Sequence, residues 1–261
     1  MTWLEALILG LVQGLTEFLP VSSSGHLEIG KVLLNVEVKE SLTFTVMVHF
    51  ATVLSTITVF YKEIKNLFVG LFQFKWNEET KYVSKILVSM VPVLFVGIMY
   101  REEVESLFSG NLLLVGSALL LTALLLISTQ LVKPGKKKIP YLDALLMGIA
   151  QAIATVPGIS RSGATIATGL LMKNGRSDVA KFSFLMVLIP IIGAALLDIL
   201  SMSSSPSESG IATGSLIIGF LAAYLSGYLA CTWMINLVKK GKLYWFAIYC
   251  AIVGIVSIIF A

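Results

Sequence analysis

Charge is what this sequence holds least of. Only 13% of its 261 residues are Asp, Glu, Lys or Arg, about half of the roughly one quarter that keeps a domain of this size in water. That deficit excludes an ordinary water-soluble domain. The net charge of +4 is modest and sits in loops rather than on one face, which excludes a nucleic-acid binder. Cysteine is nearly absent as well. Cys231 and Cys250 both fall in apolar segments and read as small packing residues rather than as a disulfide or a metal site. Histidine is limited to His26 and His49. The N-terminus lacks the basic n-region of a secretory signal and carries Glu5 in its place, so Met1 onward is expected in the working protein.

Apolar sequence is abundant. Hydrophobic residues make up 57% of the chain and the mean hydropathy is +0.91. Six segments are apolar nearly all round over the ~20 residues that cross a bilayer. They are Phe44–Tyr61, Tyr82–Tyr100, Asn111–Val132, Phe182–Leu200, Thr213–Val238 and Leu243–Ala261. Two further stretches, Met1–Leu34 and Tyr141–Met172, are apolar but interrupted, the first at Pro20-Val21-Ser22-Ser23-Ser24-Gly25 and the second at Pro157-Gly158-Ile159-Ser160-Arg161-Ser162-Gly163. Such breaks free backbone groups that are tolerated at membrane depth only inside protein or beside a watery cavity, so both stretches read as re-entrant helix–loop–helix hairpins.

The cations set an orientation. Lysines cluster at 62–85, at 133–138 and at 239–242, and a further cluster holds Lys173, Arg176 and Lys181. The connections at Arg101–Gly110 and Ser201–Ala212 hold Arg101 alone. The positive-inside rule makes all four clusters cytoplasmic. Threading the spans through that constraint works only if neither hairpin crosses: the first enters from outside, the second from the cytoplasm, and the C-terminus ends outside. The sequence repeats accordingly. Glu5–Gln13 aligns with Asp143–Gln151 at an offset of 138, and without a gap the same offset carries Ser22, Ser24, Gly25 and Phe44 onto Ser160, Ser162, Gly163 and Phe182. The expected fold is therefore an all-α polytopic membrane protein. It comprises two inverted-topology repeats, six transmembrane helices plus two re-entrant hairpins, in one membrane domain with repeat 1 at about 1–132 and repeat 2 at about 139–261. Inverted repeats put a functional site near the midplane, where the broken elements meet.

Ionisable residues at that depth need a reason. Glu17, His26 and Arg161 lie in or beside the breaks. Arg161 reads either as a fork for phosphate oxygens, helped by free N–H groups at a helix start, or as a counter-ion that holds Glu17 and joins the hairpins; one residue can do both. His26 reads as nucleophile or general acid/base, against a histidine merely hydrogen-bonded in its hairpin. His49, within a span and without a motif, reads as a packed residue. Gln13 and Glu17, four apart on one helix face, form a metal site only with help from substrate oxygens. Ser22, Ser23, Ser24, Ser160 and Ser162 are expected mostly to satisfy backbone at the breaks. Ser23, which maps onto Arg161 rather than onto a serine, is the best candidate for a special role.

Gln13-Gly-Leu-Thr-Glu17-Phe-Leu-Pro20-Val-Ser-Ser-Ser-Gly-His26 and Pro157-Gly-Ile-Ser-Arg-Ser-Gly-Ala-Thr165 closely resemble the two motifs of the bacterial undecaprenyl-diphosphate phosphatase family, and the resemblance runs the length of the chain through Phe182-Ser183-Phe184 and Phe246-Ala247-Ile248-Tyr249. At Cys250 an arginine is expected in many members, a departure that looks remote from both motifs. The resemblance implies hydrolysis of undecaprenyl diphosphate to undecaprenyl phosphate and inorganic phosphate, which recycles the lipid carrier for cell-wall polymers and confers bacitracin resistance. It further implies Mg²⁺ or Ca²⁺ dependence, a homodimer, residence in the bacterial inner membrane and a site open to the periplasmic or external face. Carried onto this sequence, it gives Glu17 a metal-binding or orienting role with Gln13, makes Arg161 the grip on the diphosphate, and leaves His26 or Ser23 as the attacking group. Ser160, Ser162, Thr165, Ser22 and Ser24 would be donors around the substrate. Phosphatidic-acid-type phosphatases also carry Ser-Gly-His and Ser-Arg elements, but their nucleophile is a histidine shortly after Ser-Arg, and none follows Arg161 here. The serious rival is a transporter or lipid flippase, with Arg161 binding a headgroup in transit and His26 as a proton relay. A scaffold would leave Glu17, His26 and Arg161 without a reason to be buried.

Overall fold

The computed structural model describes residues 1–34, 38–108, 110–133, 135–193 and 211–261. Residues 194–200 of the expected span Phe182–Leu200, and 201–210 of the connection after it, lie outside the described residues.

Helix α1 (Trp3–Phe18) opens with a capping box: the Glu5 N–H donates to Thr2 Oγ1 while the Thr2 N–H donates to the Glu5 carboxylate. It stops at Leu19, which is extended because the Pro20 ring that follows disfavours the helical region. The chain turns through Ser22, at a left-handed φ of 68°, into α2 (Ser23–Leu34). Helix α3 (Val38–Val59) is bent by 76° from α4 (Tyr61–Leu71). The expected span at Phe44–Tyr61 thus ends at Val59, and Tyr61 opens the next helix. Helices α5 (Glu78–Met99), α6 (Arg101–Ser106) and α7 (Leu112–Ser128, with a 3₁₀ turn to Leu131) follow. The second hairpin is α8 (Tyr141–Ile153) and α9 (Arg161–Leu171), separated by Pro157 and by Gly158 at a φ of +98°. Helix α10 (Arg176–Met186) ends where Pro190, four residues on, lacks an N–H and its ring would strike the Met186 carbonyl; residues 188–193 are helical again. Helices α11 (Thr213–Lys240) and α12 (Tyr244–Ile259) complete the described chain.

Among the described residues, Glu78–Met99, Leu112–Leu131 and Thr213–Lys240 are long and apolar enough to cross a membrane, and the bent pair Thr43–Val59 and Tyr61–Leu71 counts as a fourth if it is one broken span. They fall on the expected spans at Tyr82–Tyr100, Asn111–Val132 and Thr213–Val238. The helix at the expected Leu243–Ala261 is shorter, with 16 residues. Leu124, Leu229, Ile252 and Ile259 stand more than half exposed, as side chains facing lipid do.

Small residues let the helices touch. Helix α1 lies along α11, and a Cβ on Gly10 would meet the Gly219 carbonyl oxygen at 2.4 Å. Helix α8, the counterpart of α1 at the 138 offset, lies along α5, where a Cβ on Gly148 would meet the Ser89 oxygen at 2.2 Å. Helices α7 and α12 cross at Gly116 and Gly254, which are themselves 138 apart and face each other. The breaks find their partners in neighbouring elements. Thr122 on α7 donates to the Gly158 carbonyl (3.1 Å) and accepts from the Ser160 N–H (3.0 Å). Ser162 donates to the Leu19 carbonyl (3.2 Å), and the Cys250 thiol to the Pro20 carbonyl (3.6 Å). Cys250 is therefore not remote from the first motif: it packs on its proline.

Gly10→Val should lower stability by about 1–3 kcal/mol through overpacking against α11. Gly97→Ala on α5, where an added Cβ meets nothing within 4 Å, should be neutral or stabilising by up to about 1 kcal/mol. Thermal unfolding in detergent checks both, and equal behaviour of the two would refute the close-approach account.

Candidate active site

The polar centre is assembled on Glu17, in the last turn of α1. Its side chain is 7% exposed and accepts on both oxygens. Oε1 takes Arg161 Nη2 at 2.9 Å. Oε2 takes the Ser23 hydroxyl at 2.5 Å and Gln13 Nε2 at 2.9 Å. The local sequence dictates this convergence. Gln13 and Glu17 are one helical turn apart, the Leu19-Pro20 break folds Ser23 back as the first residue of α2, and Arg161 opens α9 from the other hairpin. The carboxylate thus bridges two chain segments 144 residues apart.

His49 completes the cluster. Its Nδ1 donates to the Thr45 carbonyl at 2.8 Å, which fixes the proton there and leaves Nε2 pointing at Glu17, 4.0 Å from Oε2. His26, by contrast, is spent elsewhere. Its Nδ1 bonds the Ser22 carbonyl (2.8 Å), its Nε2 bonds the Tyr249 hydroxyl (2.8 Å), and its ring stacks on Tyr249 at 5.6 Å. The sequence places His26 next to Glu17; the fold puts His49 there instead.

The other serines satisfy the breaks. Ser22 and Ser24 lie 3.3 Å apart, and Ser22 accepts the Gly25 N–H at 3.2 Å. Ser160 and Ser162 repeat the arrangement at 3.3 Å, with Ser160 capping α9 by accepting the Gly163 N–H at 3.0 Å. Thr165 donates to the Arg161 carbonyl at 2.9 Å and lies 2.6 Å from the Ser183 hydroxyl.

A narrow cleft, with a cavity volume of about 20 Å³, opens beside the ion pair. Glu17, Arg161, Ser162 and Ser183 line its polar side, and Phe18, Phe184, Val187 and Ile191 its apolar side. Only Nη2 of Arg161 is committed to Glu17, so the rest of the guanidinium fork is available to oxygens entering the cleft. Thr52 and Thr56, also on this wall, lie three and seven residues beyond His49 on α3. That polar stripe at helical spacing inside an apolar span is the signal in the sequence that sets His49 apart from a packed residue. Ser183 carries no comparable pattern of its own.

No group of three His, Cys, Asp or Glu side chains suited to a metal ion occurs among the described residues. Gln13 Oε1 is nevertheless buried without a hydrogen-bond partner, one atom from the amide nitrogen that holds Glu17. An oxygen pair of this kind suits a hard cation that takes its remaining ligands from phosphate and water.

Comparisons with known proteins bear on the chain as a whole. The family model described as "Bacitracin resistance protein BacA" matches residues 6–256. A Bacteroides fragilis protein named undecaprenyl-diphosphatase is 57% identical over 261 residues, covering 99% of this chain and 98% of its own. Proteins of the same name from Parabacteroides distasonis and Carboxydothermus hydrogenoformans are 56% and 38% identical, over 99% and 98% of this chain and 98% and 96% of theirs. With a match over nearly its whole length, the chain belongs to the BacA bacitracin resistance protein family.

Proposed function

We propose that this chain is an undecaprenyl-diphosphate phosphatase that releases undecaprenyl phosphate and inorganic phosphate, thereby recycling the lipid carrier of cell-wall synthesis and conferring bacitracin resistance. The observation that carries the reading is the convergence of Ser23 and Arg161, from two broken hairpins, on the two oxygens of Glu17, beside a cleft lined by Glu17 and Arg161 together with apolar side chains. The relatives' name supplies the substrate.

Phosphoryl transfer asks the protein mainly for positioning and for positive charge on the non-bridging oxygens. Arg161 offers its free N–H groups to the diphosphate, with Ser162 and Ser183 beside it. Ser23 attacks the terminal phosphorus in line as Glu17 Oε2 accepts its proton. The bond to the bridging oxygen breaks and its electron pair leaves with undecaprenyl phosphate. Water then attacks the phosphoserine, which restores Ser23 and frees inorganic phosphate. The 2.5 Å bond of Ser23 to Glu17, and the commitment of both His26 nitrogens elsewhere, favour Ser23 over His26 as the attacking group. Glu17 and the unpartnered oxygen of Gln13 would hold Mg²⁺ or Ca²⁺, which supplies charge neutralisation at the phosphate oxygens. His49, whose Nε2 lies 4.0 Å from Glu17 Oε2, is a positioning residue for the carboxylate when both its ring nitrogens carry protons.

The same reading includes two inverted repeats, about 1–132 and 139–261, in the bacterial inner membrane, with the cation clusters cytoplasmic and the cleft open to the external side. Support comes from contacts that recur across the offset of 138: Gly25 against Gly158 is matched by Gly163 against Pro20, and Gly116 meets Gly254. The homodimer is carried from the resemblance alone. Because repeats of this kind also build transporters, a flippase remains the second reading, and release of phosphate in detergent, where no gradient exists, separates the two.

Purified protein with Mg²⁺ or Ca²⁺ should release inorganic phosphate from undecaprenyl diphosphate, and Arg161→Ala or Glu17→Ala should reduce turnover about a hundredfold or more. Ser23→Ala should fall at least as far and His26→Ala much less; the reverse order would transfer the attacking role to His26. No turnover by folded wild-type protein would sink the enzyme reading. For His49, the Phe variant should lose about tenfold to a hundredfold in kcat with KM little changed, and His49→Gln should recover part of it. A loss confined to KM would show that His49 binds substrate rather than holding Glu17.

A further inference from the structure

A second basic cleft lies at the far end of α9. Thr129, Gln130 and Lys133 after α7, Arg176 at the start of α10, and Gly241 at the end of α11 line a shallow surface cleft. Leu170, Leu243 and Val132 form its apolar wall. The loop that carries Lys133 is clamped in place. Gly135 pairs with Gly175 and Lys137 with Asn174 as isolated bridges, and both Lys137 and Asn174 bond the buried Asp143 carboxylate, at 2.9 and 2.7 Å.

Its charges are unbalanced. Lys137 is taken by Asp143 and Lys138 lies 3.9 Å from Glu78. Lys133 and Arg176 have no carboxylate within ion-pair distance among the described residues, and the Arg176 guanidinium makes no hydrogen bond there. Arg176 is half-buried and lodged against Gly241, whose φ of +69° closes α11. The guanidinium lies directly over the Gly241 backbone, where a Cβ would come within 2.3 Å of Nη2. Membrane topology by itself asks for cations in loops; it does not ask for a guanidinium drawn into a junction of three helices with its donors unspent.

The depth of the cleft identifies the ligand. Arg161 opens α9 at the polar centre and Leu170, near its other end, lines this cleft. At 1.5 Å per residue the two are roughly 14 Å apart along the axis. Half of the ~30 Å hydrocarbon core is about 15 Å, so a polar centre at the midplane puts this cleft at the headgroup level. Trp245, which is 58% exposed, and Tyr244 beside it mark that level on α12, as interfacial aromatics do. Paired cations above an apolar wall at the interface suit a phosphate carried on a hydrocarbon chain better than a free ion.

We infer that Lys133 and Arg176 form a second lipid-phosphate site, separate from the hairpin centre, that takes the phosphate headgroup of an anionic membrane lipid, polyprenyl monophosphate included. The inference rests on the membrane placement in the proposed function and not on the phosphatase chemistry.

Binding of polyprenyl monophosphate and of phosphatidylglycerol is measured by native mass spectrometry on the full chain in detergent, in an Arg161→Ala background that weakens the hairpin centre. Retained binding that falls roughly tenfold or more with Arg176→Gln plus Lys133→Gln is the expected result. Lys133→Glu alone, at an exposed side chain that folding does not need, should weaken binding in the same direction should the double variant prove unstable. Binding unchanged within about twofold by these substitutions overturns the inference, and so does displacement of the lipid by millimolar inorganic phosphate, which would make this a free-anion site. Wild-type turnover, assayed in parallel, reports on the phosphatase independently.

Discussion

A helix broken in an apolar interior leaves carbonyl and N–H groups that need partners, each at a cost of several kcal/mol if left without one. The rest of this structure depends on how that demand is met. At the two breaks the donors come from elsewhere in the chain: Thr122 and Cys250 from α7 and α12, and Ser162 from the opposite hairpin. Neither hairpin has a satisfied break by itself: the second needs α7, and the first needs both α12 and Ser162 of the second. That requirement brings the start of α9 to the end of α1, where Arg161 meets Glu17.

The ion pair is then a consequence of the breaks as much as a device for chemistry. A guanidinium at this depth is expensive without a counter-charge, and removing one partner of a buried pair typically costs about 3–5 kcal/mol. Glu17 supplies the counter-charge, yet only one nitrogen of Arg161 is used. The geometry reconciles the two expectations held for Arg161, joining the hairpins and gripping phosphate, because the fork has donors enough for both.

Legibility in the sequence followed the spacing of polar residues. Glu17, Gln13, Ser23 and Arg161 could be found because they punctuate apolar runs at helical or motif spacing, and the offset of 138 was carried by Gly, Gln and Ser where Leu and Ala would have meant little. His26, one helical turn beyond Ser23 on α2, bonds Tyr249 while Ser23 bonds Glu17, a division of partners that proximity in sequence does not reveal. His49 went the other way, since a lone histidine in an apolar span looks like packing until α3 is laid beside α1. The stop at Met186 was readable from Pro190, whereas the bend between Val59 and Tyr61 has no proline or glycine to announce it. The contact of Cys250 with Pro20 is tertiary and could not be read at all.

Charge balance argues for the cation from this chain's own atoms. At rest the centre holds one carboxylate and one guanidinium, with His49 nearby, and is close to neutral. A diphosphate monoester brings about two or more negative charges into it, and Arg161, already shared with Glu17, offsets only part of that. Low dielectric makes the uncompensated remainder costly, so a site built from these residues alone would bind its substrate poorly. The Gln13 amide donates to Glu17 through its nitrogen and leaves its own oxygen buried without a partner, an unspent acceptor one turn from the carboxylate. One carboxylate is too weak to retain a divalent ion unaided, so any cation at this centre would depend on phosphate oxygens for most of its ligands.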